Sequence, residues 1–598
     1  MNRREFLRGA LSSPLIARVV PASRSQNTKR CRPSDAEWPS EMLWKRLEAR
    51  LTGSLIRLQP QSDTCETLHP PDCGNSLAEL RNPFFVGDQP ALTQTTGWLN
   101  AWRSKPSVYA VAAANSEDVA AAVNFARVNN LRLVVRGGGH SYQGTSQAPD
   151  SLMIWTRRMN EAKVHAEFTA RDCEALQAPQ PAVTLGAGAM WIDAYDAVTT
   201  RAGRYVQGGG CATVGVAGLV QSGGFNMFSK RYGLAAAGLL EAEVVTADGR
   251  IRVVNAKRDP DLFWALKGGG GGSFGVVTRV TLRTRDLPTM FGLMSCSIVA
   301  PSDDSFRALI RRAMNFYRTH LFNPSWGEKI NLLPGRILNV NMFAQGLTLE
   351  EINSVWKPFF DWVRANGYIF SNPPRVLMIP ARSLWDRDYM TREFPGALVP
   401  DDRPHAPYHH ARFADDDGEV GWFINGYQST WLPAALLADS QLDILTQALF
   451  AAARIWPVQL FLSKGLAGAP QAEITAARDT AINPGALDAF ALAIIADGGA
   501  PQLNGVSAVG SENGRSGHPS GPVATAMQQL KKIAPSTGSY VAESDYFLTN
   551  WQQEFWGQNY RRLLAVKSRY DPSGLFFVRH GVGSELWSED GFTRIRTS

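Results

Sequence analysis

Three glycine-dense runs constrain this 598-residue chain more than any other feature. The first reads Arg136-Gly-Gly-Gly-His140-Ser-Tyr-Gln-Gly144, the second covers residues 208–224 around Cys211, and the third is the unbroken pentaglycine at 268–272. Backbone stripped of side chains lets main-chain N–H groups come close to a polyanion, and a phosphate-bearing cofactor is the commonest reason for such an approach. Each of the first two runs also carries a nucleophile, His140 or Cys211. A lone turn histidine or a small buried cysteine would call for no ligand. In this shared context the two point to one cofactor, covalently held. The pentaglycine by itself would read as a flexible linker. A short helix predicted at 261–267 and an alternating strand through Leu282 clamp it, so close contact with a ligand is the better reading.

The order of elements around the first run is strand 107–111, helix 116–126 capped by Ser116, strand 131–135, glycine loop, and strand 152–156. That order suits an α/β nucleotide-binding unit. It is not a Rossmann fingerprint, because no G-x-G-x-x-G opens a helix. Further on come a strand at 182–186, a helix at 191–202 and a hairpin at 241–254 turning on Asp248-Gly249. Residues 288–533 mix helices at 305–319, 348–366 and 434–453 with strands such as 329–333 and 459–462, as in an α+β substrate domain. A helix at 551–568 is stopped by Asp571-Pro572. The expected division is a signal at 1–22, a leader at 23–96, a cofactor domain at 97–287, a substrate domain at 288–535 and a returning tail at 536–598.

A formal net charge of +7, partly owed to Arg3, Arg4, Arg8 and Arg18, is too mild and scattered for nucleic acid. No apolar run is long enough to span a membrane. Residues 1–22, with Arg3-Arg4 before Phe6-Leu7, a short apolar stretch and Ala22, resemble a twin-arginine export signal, which implies a folded protein delivered to a bacterial periplasm or the exterior. The six cysteines include no C-x-x-C pair and the nine histidines no H-E-x-x-H pattern, so no metal is expected. Cys65 and Cys73 are close enough in sequence for a disulfide that spacing alone does not establish. Lys230, Arg231 and Tyr232 read as a solvated turn. His405, Tyr408, His409, His410 and Arg412 form a polar cluster that fits either a pocket wall or a surface loop.

The runs 136–144, 209–218 and 261–278, with Asn559-Tyr-Arg-Arg-Leu and Tyr570-Asp-Pro in the tail, resemble the berberine bridge enzyme-like FAD-linked oxidases of the vanillyl-alcohol oxidase superfamily. The resemblance is clear over about residues 100–285 and moderate over 536–580. It implies a two-domain α+β fold with a p-cresol methylhydroxylase-type FAD domain, an antiparallel substrate sheet backed by helices, and a C-terminal segment returning to the flavin. It implies FAD bonded twice, through His140 at the 8α-methyl and Cys211 at C6. Arg136, Gly137, Gly138, Gly139, Ser141, Tyr142 and Gly144 would belong to the first loop. Thr213, Val214, Gly215, Gly218, Gly223 and Gly224 would line the second side. Gly275 and Val276 would lie against the cofactor, Asn559 would reach it, and Tyr560 would stand on the substrate side as catalytic base or as a packing group. The implied reaction takes a hydride from a small-molecule alcohol, sugar or activated C–H compound and passes the electrons to O2, in a monomer or homodimer. Ala212 and Ala217 depart from the family pattern, and a methyl at Ala217 narrows the oxygen approach, so a dehydrogenase using a quinone or redox protein stays open, as does a non-catalytic binding homologue.

Overall fold

A computed structural model describes residues 29–59, 79–414, 416, 421–499 and 521–595. The export signal and the Cys65/Cys73 pair lie outside the described residues. The strands form three main sheets. In the first, the strands Ser54–Arg57, Tyr109–Ala112, Ser151–Trp155 and Arg132–Arg136 lie side by side, the last three parallel to one another. In the second, Ile251–Asn255, Leu239–Val245, Val276–Asp286, Gln180–Gly186 and Ala162–Phe168 form an antiparallel series, with Arg204–Val206 also pairing with Val276–Asp286. The helix Ser116–Val128 sits between these sheets: Val119, Ala122, Val123 and Ala126 pack with Val111 and Leu133 of one and Val245 and Val276 of the other. Its cap is Asn115 rather than Ser116, because the Asn115 side chain accepts the Asp118 N–H at 2.9 Å while the Ser116 hydroxyl is turned to Glu243.

The third sheet has nine strands. Its longest strands are Met290–Val299, Ile337–Gln345, Ile369–Pro380, Trp422–Pro433 and Ala489–Gly499, whose successive side chains point to opposite faces. One face carries Met294, Val340, Met342, Ile330 and Leu460 into a core shared with the helices Asp303–Phe316, Leu349–Ala365, Leu442–Ile455 and Pro522–Lys531. The opposite face looks toward the glycine runs. The strand Thr95–Trp98, which spans the expected boundary at 96/97 between leader and cofactor domain, extends this sheet, parallel to Trp422–Pro433. The tail helix breaks into Trp551–Trp556 and Tyr560–Tyr570 at Gly557, whose φ of 52° combined with a ψ of −131° only glycine holds without strain. Among the described residues no helix is long and apolar enough to cross a membrane.

Candidate active site

The three glycine runs meet on the wall of one cavity of about 830 Å³, roofed by the free face of the nine-stranded sheet. Gly137, Gly138, Gly139, His140, Ser141 and Tyr142 line it from the first run, and Cys211, Val214, Gly215 and Gly218 from the second. Gly270, Gly271 and Gly272 add the third, followed by Ser273 and Gly275. The first two loops touch through backbone: a Cβ on Gly138 would lie 2.6 Å from the Gly215 nitrogen and 2.9 Å from the Thr213 carbonyl oxygen. Glycine there is a packing requirement as well as an opening for a ligand.

His140 is half-buried and opens onto the cavity, where its Nε2 meets the Thr213 hydroxyl at 2.8 Å. Burial, reinforced by the Arg136 charge, lowers its pKa to about 4, so the ring is neutral and keeps the lone pair a nucleophile needs. Cys211 is half-exposed to the same space and is in no disulfide. The short helix Trp191–Tyr195 supports its turn, since the N–H groups of Trp191 and Ile192 donate to the carbonyls of Val214 and Ala212 at 3.1 and 3.0 Å.

Several expected residues stand elsewhere. Arg136 is fully buried away from the cavity, and its guanidinium donates to the carbonyls of Val86, Pro90 and Leu92, fastening the segment before the substrate-sheet strand. Gly144 takes a φ of +69° beneath the Trp102 ring, while Gly223 and Gly224 pack against Ile482, Ala235 and Leu219. Val276 is buried in its strand and Val277 lines the cavity in its place. Thr213 acts through His140 rather than on the wall. Asn559 donates to the Ile482 carbonyl at 2.8 Å. Tyr560, expected as a base, is not on the wall: it stacks behind Trp556, which is, and its hydroxyl donates to the Glu585 carboxylate at 2.6 Å. Burial, together with that carboxylate, raises its pKa well above an ordinary phenol's, the wrong direction for activation.

The wall also holds groups that sequence spacing did not single out. Tyr427, Lys464, Tyr540 and Glu543 line it, with Lys464 Nζ donating to both Glu543 oxygens at 2.6 Å. Their distance in sequence hid the pair. Gln143 donates to the Ser544 hydroxyl at 2.6 Å, so the His140 loop and the turn carrying Glu543 are joined directly. The turn 576–581 completes the wall.

The residues present fit a flavin dinucleotide. The glycine cradle admits a polyanion, and Gln221 Oε1, Ser273 Oγ and His580 Nδ1, buried without a protein partner, belong to residues of the cavity wall. A family model described as an FAD binding domain matches residues 107–255, and one described as berberine and berberine like matches 539–583. An FAD-linked oxidoreductase, easE, of Arthroderma otae is 30% identical over 590 residues, covering 93% of this chain and 90% of its own. This chain belongs to the berberine bridge enzyme-like FAD-linked oxidoreductases. The crystal structure of the VAO-type flavoprotein MtVAO615 from Myceliophthora thermophila is similar to this berberine bridge enzyme-like chain with a TM-score of 0.74 at 25% identity, covering 95% of this chain and 100% of the other. Glucooligosaccharide oxidase from Acremonium strictum, described as holding 6-S-cysteinyl, 8α-N1-histidyl FAD, shares the fold at a TM-score of 0.62 and 19% identity, over 83% of this chain and 95% of its own. The expected α+β, two-domain flavoprotein fold is the one found.

Proposed function

We propose that this FAD-linked oxidoreductase bonds its flavin through both His140 and Cys211, oxidises an apolar, ring-bearing alcohol or activated C–H compound, and passes the electrons to O2. The relation that carries the reading is the shared cavity of the two nucleophiles, with Thr213 taking His140 Nε2. A hydrogen bond at one imidazole nitrogen fixes which nitrogen is left to react, and here that is Nδ1. A neutral imidazole and a thiolate, from a cysteine in no disulfide, are the forms able to bond carbon. Residues 1–22, as an export signal, would carry the protein out already folded around its cofactor.

Bound FAD supplies the hydride acceptor. The chain must then position the substrate and take its proton. Leu293, Phe343, Leu377 and Ile379 project from one sheet face into the cavity, and Phe394 and Phe413 extend the apolar wall. That apolar stretch suits a ring-bearing molecule, while Lys329, Asn341 and Gln459 of the same cavity can pair with its hydroxyl. Glu543 is the group suited to take the hydroxyl proton as hydride leaves the same carbon. Lys464 orients it through both carboxylate oxygens, and Gln143–Ser544 fixes its turn beside the His140 loop. Tyr540 is a less suitable acceptor, since burial raises its pKa.

Anaerobic mixing with a panel of aromatic and terpenoid alcohols and oligosaccharides, followed by air, tests the reading. Bleaching by the apolar alcohols and rapid recolouring in air support it. Bleaching by oligosaccharides alone removes the substrate class. A second reading rests on Ala217, whose methyl lines the cavity: a flavin still bleached after minutes in air would make the enzyme a dehydrogenase.

A further inference from the structure

The polar cluster around His409 does not line the cavity but forms a site of its own. His409 Nε2 and His410 Nε2 approach the same Asp193 oxygen, Oδ1, at 2.9 and 3.1 Å. One ligand-type atom from each of the three residues lies within 4.8 Å of the others. Asp193 lies more than 200 residues before the adjacent His409 and His410, so sequence spacing did not connect it to them. Asp193 comes from the helix Trp191–Tyr195, the one whose N–H groups hold the Cys211 turn. The two histidines come from the turn before the strand Ala411–Phe413.

The far side of each imidazole carries the argument. His409 Nδ1 lies 3.9 Å from Asp196 Oδ2, and His410 Nδ1 lies 4.0 Å from Asp401 Oδ2. His410 is 1% exposed, and its Nδ1 is buried with no hydrogen-bond partner. A neutral ring that donated Nε2–H to Asp193 would turn its Nδ1 lone pair toward a carboxylate, which is repulsive, and without a cation only a second ring proton would relieve it. With Nε2 bound to a cation instead, the proton sits on Nδ1 and faces the carboxylate. Histidine ligands of metals are held this way by outer carboxylates.

We propose that Asp193, His409 and His410 bind one divalent transition-metal ion, which ties the 398–413 segment to the helix behind the Cys211 turn. Imidazole with carboxylate suits zinc-like ions rather than calcium or magnesium. Ligand bonds of about 2.0–2.2 Å at tetrahedral angles separate neighbouring ligand atoms by roughly 3.3–3.5 Å, so the two spacings to Asp193 Oδ1 need open only by a few tenths of an ångström, and the histidine atoms lie within 4.8 Å of each other. The His409 side chain is 29% exposed, which gives an ion a way in and leaves a coordination position for water. Arg157 does not contest Oδ1: it lies 4.0 Å from Oδ2 and bonds Asp88 and the Gly188 carbonyl.

The test is calorimetric titration of tag-free, chelator-stripped, flavin-loaded enzyme with Zn2+, with thermal melting as a second readout. One equivalent should bind and raise the melting temperature, while Mg2+ gives no heat. His409→Ala, at a partly exposed position, should weaken Zn2+ binding at least 100-fold. Asp196→Asn, which reaches the site only through the far nitrogen of His409, should weaken it about 10–100-fold. A wild-type enzyme that binds no Zn2+, or binding equal in all three proteins, overturns the site.

Discussion

The Thr213 hydroxyl lies 2.8 Å from His140 Nε2, so the turn that carries Cys211 is bonded to the imidazole of the neighbouring glycine loop. One side chain therefore orients both attachment points. Thr213→Val keeps the shape and removes the bond. Peptide mass mapping should show the His140–flavin linkage falling while the Cys211 linkage persists, with stability lowered by about 0.5–1.5 kcal/mol. Full His140 linkage in the valine variant would count against this role.

Two glycines of the same site should respond oppositely to a methyl group. Gly138→Ala drives a Cβ into the backbone of Gly215 and Thr213, whereas a Cβ on Gly218 meets nothing within 4 Å. Gly138→Ala should cost about 1–3 kcal/mol and most of the bound flavin. Gly218→Ala should fold with normal thermal stability, and the ratio of flavin to protein in both preparations checks the contrast.

Glu543 and Tyr560 divide the acid–base question. Glu543→Gln should slow anaerobic flavin reduction by about 10²–10⁴-fold at unchanged flavin content. Tyr560→Phe should leave that rate within a few-fold, because its hydroxyl serves Glu585 behind Trp556. Stopped-flow reduction of both variants decides; a collapse in Tyr560→Phe alone would reverse the assignment.

Lys230 gives a pH signature to the joint between the domains. Far from a solvated turn, it is 1% exposed and its Nζ donates to the carbonyls of Gly465, Ala467 and Phe490. Burial lowers its pKa to about 7, below its ordinary 10.5. Between those values the unfolded chain binds more protons than the folded one, so this group makes stability rise with pH across that window. Urea midpoints measured from pH 7 to 10 should climb more steeply for wild type than for Lys230→Met. Parallel curves would show that Lys230 titrates normally.

Local patterning made much of the fold legible. The Asp248-Gly249 hairpin appears as Leu239–Val245 paired with Ile251–Asn255, and the predicted helix at 348–366 appears as Leu349–Ala365 with Thr348 as its cap. Glycine clustering marked the cavity because close backbone approach is written into single runs. Arg136, Asn559 and Tyr560 were misplaced because their partners, Leu92, Ile482 and Glu585, are chosen by tertiary packing. The Lys464–Glu543 pair and the link from Asp193 to the His409–His410 cluster were hidden for the same reason: each joins segments that no sequence period relates.

The double attachment of flavin is tested most directly by acid-precipitating wild type, His140→Ala, Cys211→Ala and the double variant, washing the pellets, and reading flavin absorbance. Colour should survive in wild type and in each single variant, and vanish in the double variant. A colourless wild-type pellet, or colour that persists in the double variant, would contradict attachment through His140 and Cys211.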